Sequence, residues 1–163
     1  NSLIMSYSYV AHDCILGDHV IIVNGVQMAG HVEIDDWAII GGVTAIHQFV
    51  KIGCHVMVSG GSLVRKDVPP YTKAGREPLS YGGINSVGLR RRGFNNEKIN
   101  QIQDIYRLIY HNGHNNSKAF DLIELECPPT NERDEILKFI RNSDRGIMKG
   151  YDYNTREIIL KTG

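Results

Sequence analysis

Counting by six residues from Ile4 lands on Val10, Leu16, Ile22, Met28, Ile34, Ile40, Ile46, Ile52, Val58 and Val64, eleven positions that are all apolar. With about four residues in ten apolar along the chain, such a run arises by chance with a probability on the order of one in ten thousand for a single phase. The residue two places before each is small or β-branched nearly throughout, from Ser8, Cys14 and Val20 to Val50, Val56 and Ser62. Six is not a helical period, but as a multiple of two it keeps each apolar side chain on one face of a short strand. The chain must therefore turn a corner once per repeat. That predicts short parallel strands joined by tight bends and stacked as a solenoid, with the apolar positions inward. A β-sandwich is disfavoured, because its turn signals recur every ~8 to 12 residues.

At "DVPPYTKAGREPL" the pattern stops. Pro69 and Pro70 cannot donate to a ladder and are expected to close the last coil, so residues 1–70 read as solenoid. Residues 71–94 read as an extended, glycine-rich connection. The spacing then changes: Ile99, Ile102, Ile105, Tyr106, Leu108 and Ile109 recur at helical intervals, with Asn95 or Asn96 as N-cap and Gly113 as stop. Two more helices are predicted, from Ser117 and from about Thr130, separated by the Cys127-Pro128-Pro129 break. Residues 95–150 thus form a small α-helical region, and 151–163 fit neither style. The opening "NSLIMSYSYV" enters a repeat that is already running, and further coils are expected before it.

Charge and cysteine content narrow the functions available. Eighteen Lys plus Arg balance eighteen Asp plus Glu, so no general field draws the chain to nucleic acid or an anionic membrane. No apolar run approaches the ~20 residues of a membrane span, and the start lacks the basic region and cleavage site of a signal peptide. Cys14, Cys54 and Cys127 are odd in number and form no CxxC or Cys/His cluster, which favours reduced thiols in a cytoplasmic protein. No metal site is expected. No two histidines are five apart, and the His111/His114 pair has no Cys or carboxylate companion.

If three repeats of six make one coil, residues 18 apart sit one above another at a strand spacing of ~4.8 Å. His12, Gly30 and Gln48 then form one column, and Asp13, His31 and Phe49 the next, both at outward or corner positions. A histidine that titrates near neutrality can take a proton from an alcohol. A glycine above it lets an acceptor carbonyl approach a backbone N–H. A surface histidine at a corner that glycine merely helps to bend reads equally well from this spacing.

"VAHDCILGDHV", "AGHVEIDDWAIIGG", "AIHQFVKIG", "HVMVSGG", "DVPPY" and "GLRRRGF" together resemble the hexapeptide-repeat acyltransferases that act on UDP-N-acetylglucosamine in lipid A synthesis. The resemblance runs from about residue 2 to residue 113. It implies an all-β left-handed parallel β-helix with a small helical C-terminal domain, working as a homotrimer in the cytoplasm. It also implies an O-acyltransferase that moves a long-chain 3-hydroxyacyl group from acyl carrier protein to the sugar 3-hydroxyl. No cofactor is expected; phosphopantetheine enters as part of the acyl carrier protein co-substrate.

By the same resemblance His12 is the general base, Gly30 the oxyanion donor and Asp13 an orienter of the imidazole. His31 and Gln48 are implied to meet sugar or acyl chain, His47 the phosphates, and Asn85, Arg91 and Arg92 the uridine diphosphate. Gly60 is implied to leave the acyl groove open for a chain of ~14 carbons or more. For "RRR" a solvated basic corner is the alternative. Tyr9 departs from the family, which often has histidine there, and Val87 replaces a polar residue near the nucleotide. Two other functions fit the repeat: the related N-acyltransferase of the same pathway, and a non-catalytic trimerisation module.

Overall fold

A computed structural model describes residues 1–111 and 116–151. Eleven two-residue strands follow one another every six residues: β1 Leu3–Ile4, β2 Tyr9–Val10, β3 Ile15–Leu16, β4 Ile21–Ile22, β5 Gln27–Met28, β6 Glu33–Ile34, β7 Ile39–Ile40, β8 Ala45–Ile46, β9 Lys51–Ile52, β10 Met57–Val58 and β11 Leu63–Val64. They stack in parallel on three faces, β1-β4-β7-β10, β2-β5-β8-β11 and β3-β6-β9. Each register step is 18 residues, as in Leu3↔Ile21, Tyr9↔Gln27 and Ile15↔Glu33. The second residue of each strand points inward. Ile22, Met28, Ile34, Ile40, Ile52, Val58 and Val64 are at most 1% exposed, and burying such a side chain contributes roughly 1.5–3 kcal/mol.

The bends are unusual in composition. From Tyr7 to Gly61 the residue three places after each inward aliphatic has a left-handed backbone, with φ of 56–65° at Tyr7, Asp13, His19, His31, Trp37, Val43, Phe49 and His55, and glycine only at Gly25 and Gly61. An L-residue there costs roughly 1–2 kcal/mol. Stacked corner side chains offset part of that strain. The first corner carries Tyr7, Gly25, Val43 and Gly61, the second Asp13, His31 and Phe49, and the third His19, Trp37, His55 and Tyr71.

The prolines do not end the ladder. The coil instead shortens by two residues, so that Met57 pairs with Lys73 and Ile52 with Val68. The stretch expected as an extended connection holds β12 Thr72–Gly75, which prolongs the first face, an antiparallel β13 Ser80–Ile84, and the short helix α1 Ser86–Arg91. Periodicity at six could not show this, since the step itself changed and the proline amides sit where no strand bond is required.

Three longer helices follow: α2 Asn96–Tyr110, α3 Asn116–Glu126 and α4 Asn131–Arg141. Asn95 caps α2 by accepting from the Lys98 N–H (2.9 Å), and Thr130 caps α4 by accepting from the Arg133 N–H (3.1 Å). The α2 face of Ile99, Ile102, Ile105 and Tyr106 is at most 2% exposed. Its Tyr106 hydroxyl donates to the Pro70 carbonyl at 2.5 Å and fastens the helix to the shortened coil. Helical character does not run on to residue 150: β14 Lys149–Gly150 pairs in parallel with β13, and Ile147 bridges Asp67. Gly113 and His114 lie outside the described residues, as do residues 152–163.

Candidate active site

The second corner gathers the first group of residues singled out above. The His31 N–H donates to the His12 carbonyl (3.0 Å) and the Phe49 N–H to the Gly30 carbonyl (3.2 Å), which locks the two columns together. His12 Nδ1 lies 2.8 Å from Asp13 Oδ2. The hydrogen bond from His12, with the positive charge that His31 and His12 can carry, holds the Asp13 carboxyl below the usual carboxylate range. An ionised carboxylate only accepts, so Nδ1 carries the proton and Nε2 of the neutral ring presents a lone pair.

The face of that ring, at its Cε1–Nε2 edge, lies over Gly30. A Cβ built on Gly30 would stand 2.7 Å from Cε1 and 2.8 Å from Nε2 of His12, so only glycine lets the imidazole lie over this backbone. Among the described residues no acceptor takes the Gly30 N–H. The His31 ring meets His12 edge-on with centroids 5.0 Å apart, and is held from behind by Phe49, stacked at 4.9 Å. Beside them opens a cleft of about 470 Å³ lined by His31, Glu33, Phe49, Lys51, Asp67 and Arg145, among others. Lys51 was within reach of the 18-residue step. Arg145, brought in by the returning chain, carried no signal.

Gln48 is half-buried in the His12 column. The exposed His47 beside it turns Nδ1–H to the Gln48 carbonyl (3.1 Å). Gly60 sits on the first corner, where a Cβ would come within 3.0 Å of the Gly42 carbonyl oxygen. Between these two corners runs the β2-β5-β8-β11 face, whose outward residues Tyr9, Gln27, Ala45 and Leu63 are exposed.

Asn85, Arg91 and Arg92 are not brought to His12. They belong to the third corner, whose rings the sequence reading missed although their spacing could have shown them. His19 stacks on Trp37 at 3.9 Å, Trp37 lies parallel to His55 at 6.3 Å, His55 parallel to Tyr71 at 5.6 Å, and Phe94 closes the column edge-on. Arg92 places Nη1 3.3 Å from His55 Nδ1 and its guanidinium carbon 5.3 Å from the Trp37 ring. Burial, aided by that guanidinium, pushes the His55 imidazole down to about 4. Asn85 is buried as the N-cap of α1, accepting from Gly88 N–H and donating to the His55 carbonyl. Arg91 is exposed.

A family model described as UDP-N-acetylglucosamine O-acyltransferase, domain 2, matches residues 67–148, about half of the 163 residues. The chain belongs to this O-acyltransferase family. A second model, for the bacterial transferase hexapeptide, matches residues 1–30. Among curated O-acyltransferases named for acyl-[acyl-carrier-protein] and UDP-N-acetylglucosamine, that of Thiobacillus denitrificans is 40% identical over 146 residues and that of Burkholderia lata 43% over 150, each alignment spanning 90% of this chain. Crystal structures agree. The UDP-N-acetylglucosamine acyltransferase of Bacteroides fragilis superposes with a TM-score of 0.90 at 49% identity over 91% of this chain and 58% of its own. That of Francisella novicida gives 0.88 at 36% identity, over 96% of this chain and 57% of its own. The chain spans about 57% of the length of the curated relatives it matches.

Proposed function

We propose that this chain carries the acyl-transfer centre of a UDP-N-acetylglucosamine O-acyltransferase that takes a long-chain 3-hydroxyacyl group from acyl carrier protein, the first step of lipid A synthesis, in the cytoplasm. The observation behind the reading is the His12 imidazole packed against the Gly30 backbone with Nε2 at its near edge and Nδ1–H held by Asp13. Nε2 removes the proton of the sugar 3-hydroxyl as its oxygen attacks the thioester carbonyl. The tetrahedral oxyanion accepts from the Gly30 N–H. Collapse expels the phosphopantetheine thiolate, which takes the proton back from His12. Asp13 offsets the imidazolium charge in between.

His31 and Gln48 border the sugar and the start of the acyl chain, and His47 the phosphates. The acyl chain crosses the face between the second and first corners and passes Gly60, whose missing side chain leaves room for ~14 carbons or more. Asn85, Arg91 and Arg92 hold the uridine diphosphate, Arg91 and Arg92 by charge-assisted hydrogen bonds. Because they sit on a different corner of the prism from His12, one copy supplies the base and a neighbouring copy the nucleotide contacts, in a homotrimer.

Transfer of a radiolabelled 3-hydroxyacyl group from acyl carrier protein to UDP-N-acetylglucosamine tests the reading, in this chain and in one extended to the relatives' full length. The expected result is product from the extended protein, a loss of ~10²- to 10⁴-fold with His12→Ala, and three copies of the chain by light scattering. An extended protein that is inert with this acceptor, or that acylates only an amine at the same position, would overturn it.

A further inference from the structure

We infer that His12, Asp13 and His31 also form a binding site for a divalent transition metal, zinc in particular, and that the bound ion silences the base. The three side chains each turn one ligand atom into a common space, all within 4.8 Å of one another. Asp13 Oδ2 stands 2.8 Å from His12 Nδ1 and 3.8 Å from His31 Nε2. Ligand atoms around a tetrahedral zinc are roughly 3.3 Å apart, given bonds of ~2.0–2.1 Å. Small side-chain adjustments reach that geometry, and these side chains are free to make them, being 67%, 66% and 40% exposed.

The backbone keeps the set together without the ion. Asp13 and His31 are successive residues of one left-handed corner column, the hydrogen bond from His31 N–H to the His12 carbonyl joins the two coils, and Phe49 supports the His31 ring. Two imidazoles and one carboxylate suit zinc or cobalt better than calcium or magnesium, which prefer all-oxygen shells. Exposure leaves the fourth position to water. No local spacing announces the set, since its members are adjacent in sequence or 18 and 19 residues apart.

An ion on His12 Nδ1 takes the place of the proton shared with Asp13. The neutral ring then holds its one proton on Nε2, which donates and can no longer accept. Binding of the metal is independent of the acyltransferase reading; only the silencing rests on it.

Cobalt titration of the chelator-stripped chain, read by visible absorption and followed by zinc competition, tests the site. Expected are tetrahedral cobalt bands with a dissociation constant below about 0.1 mM, at least tenfold weaker in Asp13→Asn and in His31→Asn, and unchanged in His19→Asn. Asparagine is chosen because it tolerates the left-handed corner backbone, and circular dichroism confirms that each variant folds. No binding at about 1 mM, or binding that neither Asp13→Asn nor His31→Asn moves, overturns the site. In the extended protein, zinc is expected to lower transfer at least tenfold and chelator to restore it. Binding without loss of transfer overturns the silencing. A stripped protein that binds cobalt yet transfers nothing sinks the acyltransferase reading and leaves the metal site standing.

Discussion

Gly30 shows how much one hydrogen atom in place of a methyl group can decide. Its φ is not in the left-handed region, so alanine strains nothing but the His12 ring, which a Cβ would meet at 2.7–2.8 Å. The exposed ring can swing into solvent. Gly30→Ala is therefore expected to shift the unfolding free energy by less than about 0.5 kcal/mol, since the ring is a surface group. Transfer should fall about a hundredfold, because a base misplaced by an ångström misses its proton. Parallel urea melts and kcat/KM measurements separate the two effects. A large loss of stability with transfer intact would show that glycine is there for packing alone. The adjacency of His12 to Gly30 was readable from the 18-residue step; the approach of ring to backbone was not, since it depends on a rotamer.

At the scale of the element, the repeat explains the faces better than the corners. Inward aliphatics follow from the period, but most left-handed bends are occupied by Tyr, Asp, His, Trp, Val and Phe rather than glycine. Val43, with φ 58° and 75% exposure, has a β-branched side chain where it is least comfortable. Val43→Asn should stabilise the chain by about 1 kcal/mol in urea melts. No gain would mean that something covers this corner. The third corner makes a prediction in pH.

His55 is packed among Trp37, Tyr71, Phe94 and Arg92, with Asp36 acting weakly the other way, and its imidazole is pushed down to about 4. The unfolded chain takes up that proton near 6.5, before the folded one does. The stability owed to this ring is thus complete above about pH 6.5 and is lost as pH falls from there towards 4. Denaturation at pH 7 and pH 5 should show a larger drop in the natural chain than in His55→Gln. Equal drops would assign the slope to other groups.

Across the whole molecule, Asp67 is the clasp between solenoid and returning chain. It is 1% exposed, accepts from the Lys51 N–H (2.8 Å) and the Ser143 hydroxyl (2.6 Å), and its own backbone bonds to Gly146 and Met148. Asp67→Ala leaves the half-buried Lys51 N–H and Ser143 hydroxyl without their acceptor, and is expected to cost about 1–3 kcal/mol. Protease protection of residues 143–150 should fall with it. An unchanged melt would show that β14 and Ile147 hold this segment unaided.

The sequence by itself determined the solenoid, its period, its inward side chains and the columns that set His12 beside Asp13, Gly30 and His31, because a strand's alternation and a constant coil length are local rules repeated along the chain. It also placed helix starts at Asn95 or Asn96 and at about Thr130, where a side chain caps its own helix, Asn95 and Thr130 being the caps observed. Only the tertiary structure decided the two-residue shortening between Val64 and Val68, the strands and helix within 71–94, and the return of residues 147–150 to the sheet. The same holds for the seating of Arg92 on the aromatic corner. The shortening, the return of 147–150 and the Arg92 seat rest on contacts between residues far apart in the chain, and the β12–β13 pairing, though local, follows no period that relates one partner to the other.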